Sequence, residues 1–197
     1  MEKKKLRIRI APAAATLFAG MLLTDRSLLC LAALSAAAFH ELGHLAAARL
    51  LHIPLRSLQL DLIGARLDVE DRLLSYGEEW LLCAAGPLFS LLLAALPFGL
   101  WGICPFARLL SCASLLLGLL NLLPIRTFDG GRMLSAFLSS TVGDSVSARL
   151  LNACSFLFLF LLWSGAVYCL LRVGDGLSLL CFSMSLFSRF FEFSESL

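Results

Sequence analysis

Charge is scarce in this chain: 15% of its 197 residues are Asp, Glu, Lys or Arg, against 59% hydrophobic, and the mean hydropathy is +0.88. So little charge cannot cover an ordinary soluble surface, and the length exceeds that of a single anchor, so the composition reads as a polytopic membrane protein. The formal net charge is only +2, and nucleic-acid binding gains no support from it. Paired cysteines are lacking as well. The seven stand singly within apolar runs with no CxxC, which excludes a disulfide framework and a thiolate zinc site and leaves them as small packing residues. The basic start leads into an apolar run without a clear small-residue cleavage site before Thr24, so the first run is expected to be retained rather than removed as a signal peptide. Low-complexity tracts and internal repeats are not evident either.

Histidine is the most telling scarcity, because two of the three histidines fall in one pentapeptide, His40-Glu41-Leu42-Gly43-His44. Positions i and i+4 stack on one face of a helix, so His40 and His44 can offer two imidazoles to one metal ion with Glu41 beside them, as in zinc hydrolases. Satisfied core histidines with a snorkelling glutamate would be the bland explanation. Three ionisable groups on adjacent turns of an apolar helix are too costly to sit comfortably with it. The remaining histidine, His52, lies two turns beyond His44 at the end of the run and reads as an interfacial residue rather than a further ligand.

Six hydrophobic segments follow one another, at about 8–24, 27–51, 74–100, 106–125, 147–171 and 176–191. Each is close to the roughly 20 residues that cross a bilayer. With the N-terminus inside, only Arg26, Arg108 and Arg172 of the 16 basic residues fall outside cytoplasmic loops and ends. That bias orients both termini towards the cytoplasm. Between the second and third segments, Ser57–Leu62 and, after Ile63-Gly64, Ala65–Glu70 alternate polar with apolar, which predicts a β-hairpin over 57–70. It reads either as a solvated connector or as an exposed edge to which an extended peptide could add.

The third segment opens on Glu78-Glu79-Trp80, acids suited to a helix start and an aromatic suited to the interface. Gly86-Pro87 within it predicts a kink and a close backbone approach. The fourth segment ends in Asn121-Leu122-Leu123-Pro124, followed by Asp129-Gly130-Gly131, where Pro124 interrupts the helix and the glycines permit a tight turn before a short helix over about 132–140. Asp129 then sits at a helix N-terminus, where it could be an N-cap. In the orientation above, this end of the fourth segment and the cytoplasmic half of the second point to the same membrane face. Since a catalytic zinc usually takes three protein ligands and keeps one position open, Asp129 is the plausible third beside His40 and His44. The fold expected is thus an all-α polytopic membrane protein of about six transmembrane helices, with a small membrane-associated β-hairpin or sheet between the second and third spans, forming one domain over 1–197.

Taken together, the His-Glu-Leu-Gly-His pentapeptide, Ala85-Gly86-Pro87-Leu88, and Asn121-Leu122-Leu123-Pro124 with Asp129-Gly130-Gly131 resemble the site-2 protease family of intramembrane zinc metalloproteases. The six-span layout without a PDZ insert is most similar to its stage IV sporulation FB-type members. It has no counterpart of the C-terminal cystathionine-β-synthase-type domain that some of them carry, so regulation through that domain is not expected. The resemblance implies one zinc ion held by His40, His44 and Asp129, with Glu41 as the general base toward a zinc-activated water. It further implies Asn121 as a substrate-positioning or oxyanion-side residue and the 57–70 hairpin as part of a substrate-presenting sheet. The expected partners are a membrane-embedded or membrane-associated protein substrate, such as a pro-sigma or anti-sigma factor, and a membrane regulatory partner. The expected location is the bacterial cytoplasmic membrane. Phe128 and Ser90 stand where the family more often has Leu and a polar Asn or His. A metal transporter using the same side chains as a transit site is the alternative from another class, but it has no need of Glu41. A client-binding pseudoprotease is the third reading.

Overall fold

The computed structural model describes residues 7–10, 28–61, 64–69, 74–100, 102, 104–174 and 177–195. Their elements, in chain order, are β1 (Arg7–Ile10), α1 (Leu29–Leu50), β2 (Leu55–Asp61), β3 (Gly64–Val69), α2 (Tyr76–Ala95) with a 3₁₀ turn at Leu96–Leu100, α3 (Pro105–Asn121), α4 (Asp129–Val142), α5 (Asp144–Val173) and α6 (Leu177–Glu195). Among them α1, α2 and α5 are long and apolar enough to cross a membrane, whereas α3 and the apolar part of α6 are shorter. The chain divides into two compact units, 1–119 and 120–197.

In the first unit, α1 packs on α2. The buried residues of α1 are Cys30, Ala32, Ala36, His40, Gly43, His44 and Ala48, small residues and the two histidines at helical spacing. Small residues let helix backbones approach closely, which is how apolar helices associate where lipid removes the hydrophobic drive between them. Gly43 is the clearest case. A Cβ there would lie 2.6 Å from the Ala85 carbonyl oxygen and 2.9 Å from Phe89 Cβ on α2.

Both helices have defined ends near this contact. Helix α2 starts on a capping box: Ser75 Oγ accepts the Glu78 N–H, and the Glu78 carboxylate accepts the Ser75 N–H at 2.9 Å. Helix α1 stops in a Schellman motif, in which the His52 N–H donates to the Arg49 carbonyl and the Ile53 N–H to the Ala48 carbonyl. His52 has φ 54 there, so the third histidine occupies the left-handed residue that ends the helix, and it is exposed. Ile53, Ala48 and Leu82 form a buried cluster that pins the end of α1 to α2.

The sheet has the order β1-β2-β3. Strands β2 and β3 pair antiparallel, Asp61 opposite Gly64 and Leu58 opposite Leu67, over the stretch where period two predicts a hairpin. Strand β1 adds to β2 in parallel, Arg7 opposite Ser57. The apolar segment expected over 8–24 therefore begins as a strand, because Arg7-Ile8-Arg9-Ile10 alternates with the strand period. The rest of that segment lies outside the described residues.

Helix α3 ends at Asn121, short of the expected 125. Proline disfavours helical backbone at the residue before it and its ring collides with the carbonyl four residues back, so Pro124 ends the helix although the apolar run continues. Helix α4 is longer than the pattern suggested and begins at Asp129 itself. In the second unit α4 packs on α5 and α5 on α6. Ile125, Leu159 and Leu186 form its buried cluster, with Leu123 and Phe128 packed alongside.

Candidate metal centre

His40 and His44 point from successive turns of α1 towards α2, 5% and 7% exposed. Their Nε2 atoms lie 3.2 Å apart. Two nitrogens bound to one tetrahedral zinc at about 2.0–2.1 Å would be separated by about 3.3 Å, so the pair already has the spacing of two metal ligands. The rings meet edge to face, at an interplanar angle of 79°.

The other ring nitrogen of each histidine is held by α2. His44 Nδ1 lies 2.8 Å from the Leu82 carbonyl oxygen. A carbonyl only accepts, so Nδ1 carries the proton and donates it, which leaves the Nε2 lone pair of the neutral ring for a metal. His40 Nδ1 lies 2.9 Å from Ser90 Oγ, and Ser90 is fully buried. A hydroxyl can accept from an Nδ1–H, which again leaves Nε2 for the metal. Anchoring of the second ring nitrogen fixes the tautomer and ring direction of a ligating histidine. Ser90→Ala is accordingly expected to weaken zinc binding about tenfold, the low end of what such anchoring residues contribute, with the helix pair intact; competition against a chromogenic chelator measures it.

Gly86 completes the inner wall. A Cβ at this position would overlap His44 Nε2, lie 2.6 Å from His44 Cε1 and 2.8 Å from His40 Nε2. The close approach expected at Gly86-Pro87 thus brings the α2 backbone against the two imidazoles themselves. The supporting roles of Ser90 and Leu82 escape a reading of the sequence because their partners lie 50 and 38 residues away. Only the Gly-Pro pair gives any hint of them. Glu41 is half-buried on α1, about 100° round the helix from His40.

Asp129 belongs to the second unit. It is the first residue of α4, half-buried, and the N-cap position is Phe128, which makes no side-chain cap. The capping explanation for this aspartate is therefore not realised. The glycines that follow do not supply a turn. They let the first turn of α4 lie against the preceding loop, where a Cβ on Gly130 would meet the Leu122 carbonyl and one on Gly131 the Ile125 carbonyl. Asn121 is the last residue of α3 and is half-buried. Within the first unit, His40 and His44 are thus the side chains that present two ligand atoms to one point.

Residues 99–165 match the model of peptidase family M50, a segment that includes Asn121 and Asp129. The chain is also 36% identical over 119 residues to Rip3 of two Mycobacterium tuberculosis strains, a protein named as a zinc metalloprotease. That stretch covers 55% of this chain and 30% of the relative, so the chain spans about a third of the length of the curated relatives it matches. In fold it is similar to a site-2 protease from Methanocaldococcus jannaschii, with a TM-score of 0.64 at 22% identity, over 96% of this chain and 92% of that one.

Proposed function

We propose that the chain is a site-2-type member of the M50 peptidases, an intramembrane zinc metalloprotease acting on membrane-embedded or membrane-associated proteins, a reading supported by the M50 match over residues 99–165, the likeness to a zinc metalloprotease and the shared fold. The observation that carries the reading is the pair of Nε2 atoms 3.2 Å apart, each ring oriented through its Nδ1 by an oxygen on α2. Such a pair has the donor type, spacing and second-nitrogen support of a zinc site. In the proposed site His40, His44 and Asp129 hold the ion. Asp129 is favoured by its carboxylate at the first, half-buried residue of α4 and by its position in the M50-matched segment.

Bound there, zinc supplies Lewis acidity toward the peptide carbonyl and makes a water molecule more acidic at neutral pH. The protein's own part is proton handling and presentation. Glu41 accepts a proton from the attacking water as its oxygen bonds to the carbonyl carbon, then delivers that proton to the amide nitrogen as the C–N bond breaks. Asn121 helps position the substrate peptide. A helical substrate must unwind first, since its peptide groups are engaged with one another in the bilayer. An unwound segment could regain hydrogen bonds along β3, an edge strand of the sheet.

The orientation with both termini cytoplasmic is supported by the basic-residue bias, and β1 and the α1–α2 connection share one sheet and hence one membrane face. Of the family's substrates, a pro-sigma or anti-sigma factor of a bacterial membrane is the class this reading favours.

Metal analysis of the full chain purified in detergent tests the reading. One zinc per chain is expected. His40→Ala and His44→Ala each lose it, and Asp129→Ala weakens binding at least about 100-fold, beyond the range of residues that only support a ligand. Affinity unchanged by Asp129→Ala would remove that residue from the ligand set.

A further inference from the structure

The loop that leads into Asp129 is gripped by one face of α5. Because Pro124 ends α3, the backbone groups of residues 122–128 lack regular helical partners in a setting where an unsatisfied peptide group is costly. Turn bonds meet part of the need, the Ile125 N–H donating to the Leu123 carbonyl and the Phe128 N–H to the Ile125 carbonyl. The rest comes from a helix about thirty residues further along the chain. Ser155, fully buried, accepts the Arg126 N–H at 2.9 Å, and its own hydroxyl is within 3.5 Å of the Pro124 carbonyl. One turn earlier, Asn152 Oδ1 accepts from the Arg126 guanidinium at 3.1 Å. One turn later on the same face, Leu159 packs on Ile125, the most deeply buried residue of the loop.

We propose that Ser155, assisted by Asn152, is a positioning residue for the metal-ligand loop: its hydroxyl bridges the backbone on either side of Ile125 and so fixes where α4 begins and where it presents Asp129. This rests on the reading of Asp129 as a zinc ligand. The contacts lie within one unit and leave little play. Gly130 and Gly131 press the first turn of α4 against the carbonyls of Leu122 and Ile125, so a loop displaced at Arg126 carries the start of α4 with it. Ser155 lies in an apolar helix and its partners precede it by about thirty residues, so no local pattern in the sequence marks it.

The test is a double-mutant cycle on zinc affinity, measured by chelator competition on the full chain in detergent, alongside thermal unfolding of the metal-free protein. Ser155→Ala is expected to weaken zinc binding about tenfold in the native background and to add no further loss in the Asp129→Ala background. A merely structural role would lower the unfolding temperature of the metal-free protein and leave zinc affinity alone. The same fold-loss in both backgrounds, or none in either, overturns the proposal. Should Ser155→Ala fail to fold, Asn152 carries the same cycle: Asn152→Leu is expected to weaken zinc several-fold through Asp129, while Asn152→Asp, which keeps the acceptor, restores the native affinity. Failure of Asn152→Leu to do so overturns the proposal just as well. The two levels fail differently. If Asp129→Ala alone leaves zinc affinity unchanged, the ligand reading fails and the positioning role with it; if Asp129→Ala weakens zinc but Ser155 and Asn152 do not act through it, only the positioning role fails.

Discussion

Gly86→Ala, a change that adds one methyl group, is expected to cost the protein its zinc, with affinity falling at least about 100-fold. The new Cβ would occupy the space of His44 Nε2 and approach His40 Nε2 to 2.8 Å, closer than the 3.0 Å that real Cβ atoms essentially never breach. These neighbours cannot yield cheaply. The His44 ring is tied through Nδ1 to the Leu82 carbonyl and the His40 ring to Ser90, so relief requires breaking one of those bonds or parting the two helices. Either outcome spoils the 3.2 Å spacing of the nitrogens. Intrinsic preference runs the other way, since alanine favours the helix over glycine by roughly 0.5–1 kcal/mol, and α2 itself should persist. The expected signature is a helical protein by circular dichroism that binds no zinc in chelator competition. Retention of native affinity would mean that the α2 backbone does not lie against the imidazoles. Gly99 serves as the control, because a Cβ there meets nothing within 4 Å.

What a sequence can show about such a site depends on how local the physics is. The placing of His40 and His44 on one helix face was legible because a helix repeats every 3.6 residues and because histidine is so scarce in this chain. The hairpin region was legible through its two-residue period, which β2 and β3 occupy around Gly64. Strand β1 was not, since four alternating residues merge into an apolar run, and their partner in β2 lies about fifty residues away. The break at Pro124 was legible, but the apolar run through Leu122, Leu123 and Ile125 hides that α3 already stops at Asn121. Non-local support was invisible for the same reason: Ser90, Leu82 and Ser155 are ordinary residues of apolar helices until a distant nitrogen is placed against them. His52 shows the converse. Its left-handed backbone in the Schellman motif is a conformational role that its side-chain chemistry does not announce.

Glu41→Gln is expected to reduce cleavage at least about 100-fold while zinc affinity stays within about twofold of native, because the substitution keeps the side chain's size and removes only its capacity to take and return a proton. The glutamate stands next to His40 but is not one of the three proposed ligands, so the ion should not depend on its charge in the way it depends on them. Co-expression of the native chain or the variant with a single-span or pro-sigma-type substrate, read as a chelator-sensitive fragment, measures the loss. The result separates three readings that the ligands alone leave together. A protease needs the ligands and the base, so the fragment disappears with either. A transporter using the same imidazoles and carboxylate as a transit site needs only the ligands, and its zinc flux would survive Glu41→Gln. A client-binding pseudoprotease yields no chelator-sensitive fragment even with Glu41 in place. Native-level cleavage by the variant would show that another group accepts the proton, and loss of zinc would make Glu41 a ligand rather than a base.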